Sequence, residues 1–278
     1  MPRALTFGWL LGFVAAPCAL VLVIAFAPSD AGVPPFLWPL GPQGWRGSLE
    51  AVATLTADDF YLRALLRSLW VAAQTAALGL ALAYPMALAI ARAPARAQPA
   101  LLMAVLLPFW AGFLLRMAAW IGLLRDSGWL NTVLLALGLV NEPLPLLYSH
   151  PAMLLGLVHA YLPFALLPLY ASLQRLDPAL EEAAADLGAG RFTVFRTVTL
   201  PLSAPGAAAA FLLVFIPAAG EYVVPELLGP PEAQLLGRVL WGEFFQNRDW
   251  PLACLLALVL LVLLLLPMRL FQRLEQAP

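Results

Sequence analysis

The chain has 278 residues, of which 63% are hydrophobic and only 11% charged, and its mean hydropathy is +0.87. Because the apolar residues come in blocks of about 20 or more, the length needed to cross a bilayer as a helix, this composition excludes an ordinary soluble domain and indicates an integral membrane protein. A formal net charge of -1 excludes a strongly basic nucleic-acid binder. All 15 basic residues are arginine, so the chain lacks the lysine of a phosphate-binding P-loop, and any nucleotide must bind to another subunit.

Six apolar segments are predicted to cross the membrane as helices, so the expected fold is all-α, with residues 1–278 forming one transmembrane domain. The segments cover residues 7–27, 65–91, 99–122, 151–172, 205–225 and 250–270. The first could be taken for a signal peptide, but its apolar run is too long for a typical h-region, and we interpret it as a span. Residues 28–62 are predicted to form a long polar, Pro-rich loop, and residues 127–150 are predicted to contain a short interfacial helix.

Arginine is dense in the termini and very short loops on one side of these segments. Those arginines are Arg3, Arg92, Arg96, Arg175, Arg191, Arg196, Arg269 and Arg273. Because short loops rich in basic residues stay in the cytoplasm, we expect both termini and the loop at residues 173–204 to be cytoplasmic.

Few residues are available for catalysis or metal binding. Cys18 and Cys254 lie far apart inside apolar runs, so we expect two buried thiols and no disulfide. The chain's two histidines, His150 and His159, form neither a recognisable zinc spacing nor a nucleophile–base pair. We therefore expect no metal site and no catalytic site.

The polar loop at residues 173–204 contains the signals of a short helix. Asp177 is a good N-cap and Pro178 a good first helical residue, while Gly188 or Gly190 favours a left-handed end. Such a helix is too short to be stable by itself, so it needs a docking surface. That surface is either the chain's own bundle or another subunit.

The same loop resembles the EAA loop of ABC importer permeases, the MetI-like inner-membrane component family. The motif comprises Glu182, Ala183 and Ala184, then Gly188 after three residues, and Val198 to Pro201 after nine more, with Val198 where isoleucine is usual. The resemblance covers essentially the whole chain. Residues 106–149, 161–189 and 220–253 are similar to the spermidine/putrescine permease branch.

This resemblance implies a non-catalytic permease subunit in the bacterial inner membrane, without a cofactor of its own. It also implies two copies of a cytoplasmic ATPase that binds ATP and Mg²⁺, a second, unlike permease, and a periplasmic solute-binding protein. The loop would then provide a coupling helix that sits in a groove of the ATPase, the alternative being a helix packed only on its own bundle. The residues it would dock with are Glu182, Ala183, Ala184, Gly188, Leu200 and Pro201.

Acidic and aromatic residues are the candidates for the substrate pathway, because a polyamine needs carboxylates near its ammonium groups and aromatic faces along its methylenes. The candidates are Glu221, Tyr222, Glu226, Trp110, Tyr161 and Asp249. Pro225 is expected to break the helix before Glu226, so that both glutamates face one opening. Alternatively, Glu221 is a loop charge, Asp249 caps the sixth helix, and the aromatic residues anchor the membrane interface.

Arg116 falls within the third predicted span, where a cation must find a carboxylate, carbonyl groups or water. We expect a structural ion pair there, with a role in gating as the alternative.

For the whole chain, two further functions are weighed: a permease for another small solute, and a secondary transporter driven by an ion gradient. The second would need paired intramembrane acids and inverted repeats, which the sequence does not show.

Overall fold

The computed structural model describes residues 7–41 and 44–275, most of which are helical. In chain order the elements are α1 (Phe7–Ala25), β1 (Leu40–Gly41), β2 (Gly44–Trp45), α2 (Glu50–Ala57), α3 (Asp59–Ala91), α4 (Gln98–Leu106), α5 (Phe113–Leu124), α6 (Trp129–Ala136), α7 (His150–Gln174), α8 (Pro178–Asp186), α9 (Arg191–Ala219), α10 (Val223–Leu228), α11 (Leu236–Trp241) and α12 (Trp250–Glu275). Among these residues, five helices are long and apolar enough to cross a membrane, or six if a bent pair counts as one span. The predicted all-α class is confirmed; the two-residue strands β1 and β2 pair antiparallel.

The chain divides into two compact units. The first comprises the described residues up to Arg67 together with Gln234–Leu266, and the second comprises Ser68–Ala233 and the residues from Pro267 onward. Helices α3 and α12 contribute residues to both units.

In the second unit, α7 packs along α9. The two helices meet closely at Gly206, where an added Cβ would lie 2.2 Å from the Cβ of Ser172. Without a hydrophobic driving force between helices in lipid, small residues at such crossings allow close van der Waals packing. The core around this crossing is fully buried and includes Leu166, Leu169 and Val214.

In the first unit, a buried carboxylate joins α3 to the π turn that follows α11. Glu243 is 8% exposed, and its Oε1 accepts a hydrogen bond from the Tyr61 hydroxyl at 3.1 Å. Its Oε2 accepts a second hydrogen bond from Asn247 Nδ2 at 2.8 Å. Both oxygens of this carboxylate are therefore hydrogen-bonded, as a buried charged group requires.

The two cysteines have different surroundings. Both are free thiols, as predicted, and Cys254 is buried in α12. Cys18 is exposed on α1, so the expectation of a buried thiol is wrong there. Lipid tails are as apolar as leucine, so a span can leave its side chains exposed on the protein surface, and an apolar run alone does not predict burial.

The third predicted span is not one straight helix. Its first part, Gln98–Trp110, and its second part, Phe113–Ala136, are bent by 85° relative to each other. Ala111 and Gly112 lie between them in extended conformations, with ψ of 140° and 145°. Glycine costs a helix interior up to about 1 kcal/mol relative to alanine, which makes Gly112 a favourable place for the break.

The fifth predicted span begins earlier than expected. Helix α9 is continuous from Arg191 to Ala219, whereas the sequence predicted a span over 205–225. A π turn, Phe195–Thr199, ends two residues before Pro201, whose ring would clash with the carbonyl four residues earlier in a regular α-helix. At 29 residues α9 is roughly 44 Å long, more than the hydrocarbon thickness of about 30 Å, so part of it extends beyond the bilayer core.

Candidate functional site

The short helix α8 begins and ends where the sequence predicts. Asp177 is its N-cap, and Oδ1 of this residue accepts a hydrogen bond from the Ala179 amide at 3.0 Å. At the other end, Gly188 has φ of 86°, and its amide donates to the Ala185 carbonyl at 2.9 Å. The Ala189 amide donates to the Ala184 carbonyl at 3.1 Å, which completes a Schellman motif and satisfies carbonyls that the helix would otherwise leave unpaired.

One side chain of α8 holds it to the rest of the second unit. Oε1 of Glu181 accepts a hydrogen bond from Arg92 Nη2 at 2.5 Å and another from Thr199 Oγ1 at 2.5 Å. Arg92 directly follows α3, and Thr199 lies in the π turn of α9. The sequence offered a helix packed on its own bundle as an alternative to docking on another subunit, and Glu181 provides such a contact on one face of α8.

Other residues of this segment are turned outward. Of the predicted docking residues, Glu182, Ala183, Gly188, Leu200 and Pro201 are exposed and Ala184 is half-buried. Two apolar side chains next to them are also exposed: Leu187, at 90%, and Phe192, at 76%. The sequence interpretation did not single out either residue, because an isolated apolar residue in a polar loop is not by itself a signal of an interface.

Glu221 lies at a second break in the chain, just after Gly220 ends α9. Its Oε1 accepts hydrogen bonds from the amides of Tyr222, at 3.1 Å, and Val223, at 2.9 Å. Its Oε2 accepts a hydrogen bond from the hydroxyl of Tyr161 in α7. The structure therefore joins two of the predicted pathway residues, Tyr161 and Glu221, and places a third, Tyr222, half-buried beside them.

The expected break at Pro225 is wrong. Pro225 is buried inside α10, near its N-terminus, where proline's missing N–H leaves no helical hydrogen bond unmade. The break falls instead between Gly220 and Tyr222, because the Glu221 carboxylate satisfies the first amides of α10. Glu226 is exposed within α10.

The remaining predicted pathway residues have other surroundings. Trp110 is 76% exposed in the 3-10 turn that follows α4. Asp249 belongs to the first unit, and its Oδ1 accepts a hydrogen bond from the Leu252 amide at 3.1 Å. This contact makes Asp249 the N-cap of α12, which was the alternative interpretation of that residue.

Arg116 lies among aromatic rings. Its Cζ is 4.6 Å from the ring centre of Phe109 and 5.7 Å from that of Phe113. His159 stacks on Phe109 at 5.3 Å, and Trp120 meets His159 edge-on at 5.6 Å. Within residues 7–41 and 44–275, Nε and Nη1 of Arg116 are buried without a hydrogen-bond partner, so the expected ion pair is wrong for this part of the chain.

A helical membrane bundle with a short capped helix between two of its long helices is the architecture of an ABC importer permease. Two solved structures share this fold. A bacterial ABC transporter for import of the acidic polysaccharide alginate matches with a TM-score of 0.70 at 22% identity, over 96% of this chain and 92% of that one. The alginate transporter in complex with a pentasaccharide-bound periplasmic protein matches with a TM-score of 0.75 at 19% identity, over 99% and 94%. At these identities the matches establish the fold alone.

The chain belongs to the family of binding-protein-dependent transport system inner membrane components, whose model matches residues 95–277. The spermidine/putrescine transport system permease protein PotB of Haemophilus influenzae is 35% identical over 263 residues, which is 95% of this chain and 89% of the relative. PotB of Escherichia coli is 33% identical over 258 residues, 92% of this chain and 90% of the relative. The predicted permease family is thereby confirmed: the chain is a non-catalytic, multi-pass membrane subunit of an importer.

Proposed function

We propose that this chain is one permease of an ATP-driven importer that moves polyamines such as putrescine and spermidine from the periplasm to the cytoplasm. The observation that carries the proposal is the 35% identity to a spermidine/putrescine permease over 95% of the chain. The family match over residues 95–277 includes the α8 segment and residues 220–253, where Glu221, Tyr222, Glu226 and Asp249 lie. The runner-up is a permease of the same family for another small solute.

The partners proposed are two copies of a cytoplasmic ATPase, which binds ATP and Mg²⁺, a second permease and a periplasmic solute-binding protein. The exposed face of α8 supports docking on the ATPase. Leu187, directly after α8, and Phe192, in the first turn of α9, present exposed apolar side chains, and Glu182 presents an exposed carboxylate in the same segment, a combination that suits an apolar interface core with a charged contact at its rim. Leu200 and Pro201 lie further along, in the first turn of the second part of α9.

For the substrate, the proposed contact is the carboxylate of Glu221 with Tyr161 beside it. A diammonium chain brings one cation to the carboxylate and lays methylenes along an aromatic face. A charge-assisted hydrogen bond of this kind contributes about 1.5–3 kcal/mol. Tyr161 already donates to Glu221, so its hydroxyl would turn away as an ammonium group approaches.

The proposal is tested by uptake in bacteria that lack their other polyamine importers and express the full set of subunits. We expect labelled putrescine or spermidine to accumulate only when this chain, the ATPase and the binding protein are all present. Unlabelled amino acids and oligosaccharides should not compete. Absent polyamine uptake, together with uptake of a labelled amino acid or oligosaccharide that depends on this chain, would favour the runner-up.

A further inference from the structure

The carboxylate of Glu181, in the first part of α8, connects this helix to α3 and α9. Oε1 of Glu181 accepts from Arg92, which follows α3, and from Thr199, which lies in α9, both at 2.5 Å. Arg92 and Thr199 are far apart in sequence, and Glu181 brings both to one oxygen atom. The short helix α8 is thereby bonded to two long helices at once.

The environment of this pair strengthens it. The side chain of Glu181 is 26% exposed and that of Arg92 51%, whereas the Arg63–Asp59 pair on α3 is 68% and 77% exposed. Thr199 is fully buried. Salt and water screen partly buried charges less than exposed ones, so the Glu181 contact resists screening better than an ordinary surface pair.

Burial contributes little to the position of α8. None of its nine residues is buried, so apolar packing contributes little to its position. Adjacent helical residues differ in direction by about 100°, which allows Glu181 to contact Arg92 while Glu182 stays exposed. The two consecutive acids therefore belong to different faces of α8.

The two long helices are already joined deeper in the unit. The Tyr84 hydroxyl of α3 and the Ser203 hydroxyl of α9 are hydrogen-bonded at 2.6 Å. The ring of Tyr84 meets Phe195 edge-on at 5.6 Å, within the π turn that also contains Thr199. π turns are frequent at functional sites and have less regular hydrogen bonding than α-helix, so this part of α9 can yield when α8 moves.

We propose that Glu181 is a positioning residue that transmits movement of α8 to α3 and α9 when the ATPase binds and hydrolyses ATP. The inference rests on the proposed docking of α8 on the ATPase. It assigns Glu181 a task distinct from that of Glu182: Glu182 contacts the partner, and Glu181 carries the displacement into the membrane helices. Without that bond, movement of α8 reaches α9 only through the connecting residues 187–190 and their contacts, and α3 loses its direct bond to α8.

The first test measures polyamine transport per ATP hydrolysed by the complete complex in liposomes. Glu181→Gln removes the charge that pairs with Arg92. We expect ATPase association and ATP hydrolysis to stay within about twofold of the unmodified protein, while transport per ATP falls about tenfold, the value of one charge-assisted bond. Matched controls are Arg96→Gln, at an exposed arginine of the same loop as Arg92, and Asp186→Asn, at the end of α8; both should leave the ratio unchanged.

Exchanging the charges of Arg92 and Glu181 distinguishes a role in transmitting movement from a role in folding alone. The double variant Arg92→Glu with Glu181→Arg rebuilds the ion pair, and the new arginine can still donate to Thr199. It should recover much of the coupling that either single variant loses. Thr199→Val, which keeps side-chain volume and removes only the hydroxyl, should give a smaller loss of coupling than Glu181→Gln.

A second readout does not depend on the substrate. Vanadate trapping with ATP should change the hydrogen exchange of α8, α9 and the end of α3 in the unmodified complex, with a much smaller change in α3 in Glu181→Gln. A chain that shows this pattern but moves no putrescine would overturn the proposed substrate and support the transmission role. Equal coupling in Glu181→Gln and Asp186→Asn would overturn that role, as would a loss of ATPase association as large as the loss of transport.

Discussion

Tyr161 and Glu221 are 60 residues apart in the chain, yet the tyrosine hydroxyl donates a hydrogen bond to the glutamate carboxylate. The other oxygen of Glu221 accepts from two backbone amides at the start of α10. The carboxylate thus has a structural task, accepting from the amides of Tyr222 and Val223, and it also lies beside an aromatic ring. A cation entering here would find an acceptor already held in position.

Replacing Glu221 with Gln should lower polyamine uptake more than about tenfold, because the neutral amide loses a charge-assisted bond to the ammonium group. The amide oxygen can still accept from the amides of α10, so we expect the membrane level of the chain and its ATPase association to persist. Uptake of labelled putrescine and spermidine measures the effect.

Two neighbouring variants serve as controls for this prediction. Glu226→Gln removes an exposed carboxylate of α10 and should have a weaker effect. Tyr161→Phe keeps the charge of Glu221 while removing its hydroxyl partner, so its effect should also be smaller. Full uptake in the Glu221 variant would show that this carboxylate is only a structural cap.

Docking of α8 should depend on its exposed face. Glu182→Lys reverses a charge proposed to meet the ATPase, and Leu187→Asp places a charge on apolar surface that is 90% exposed. Each should reduce co-purification of the ATPase several-fold without lowering the membrane level, since neither residue is buried. Leu139→Asp, at a 67% exposed leucine outside α8, is the control and should have no such effect. Unchanged association in both the Glu182 and the Leu187 variant would contradict the docking proposal.

Gly188 should tolerate substitution poorly for a backbone reason. Its φ of 86° lies in the left-handed region, while no atom lies within 4 Å of the position that a Cβ would occupy. A side chain is therefore free of clashes but costs about 1–2 kcal/mol in conformation. We expect Gly188→Ala to weaken ATPase association by about fivefold or more. Gly190→Ala, at φ of -68° with equally open space, should stay near the unmodified value; equal losses would exclude the conformational explanation.

The sequence predicts a structural feature well where the interactions that determine that feature are between residues close in sequence. The limits of α8 follow from Asp177, Pro178 and Gly188, whose capping preferences act within one turn, and the structure confirms them. The predicted position of the break near α10 was wrong. The prediction relied on the helix-breaking tendency of Pro225, whereas the break lies where the Glu221 carboxylate accepts from the backbone amides that follow it. The contact between Glu181 and Arg92 was also not predicted, since the two residues lie 89 apart in the sequence.

Orientation in the membrane stays a prediction from arginine density. Reporter tags at Arg96 and within residues 189–195 should be accessible from the cytoplasm, and tags near Gly44 and Glu232 from outside. The positive-inside rule supplies the reason, because translocating arginine-rich short loops is unfavourable. The accessibility of the tags in intact and in permeabilised cells measures the orientation, and an inverted pattern would also remove the case for ATPase docking by α8.

Arg116 should be replaceable without loss of stability. Removing one partner of a buried ion pair usually costs about 3–5 kcal/mol because an unpaired charge is left behind. Arg116 instead rests on Phe109, and two of its nitrogen atoms lack partners among the residues that the structure describes. Arg116→Leu should therefore leave the melting temperature of the detergent-purified chain unchanged or higher, since it removes a cation that has no carboxylate partner among the described residues and keeps apolar contact with the rings. Arg92→Leu, which breaks the pair with Glu181, is the comparison and should lower that temperature. A fall as large in Arg116→Leu as in Arg92→Leu would mean that Arg116 has a carboxylate partner after all.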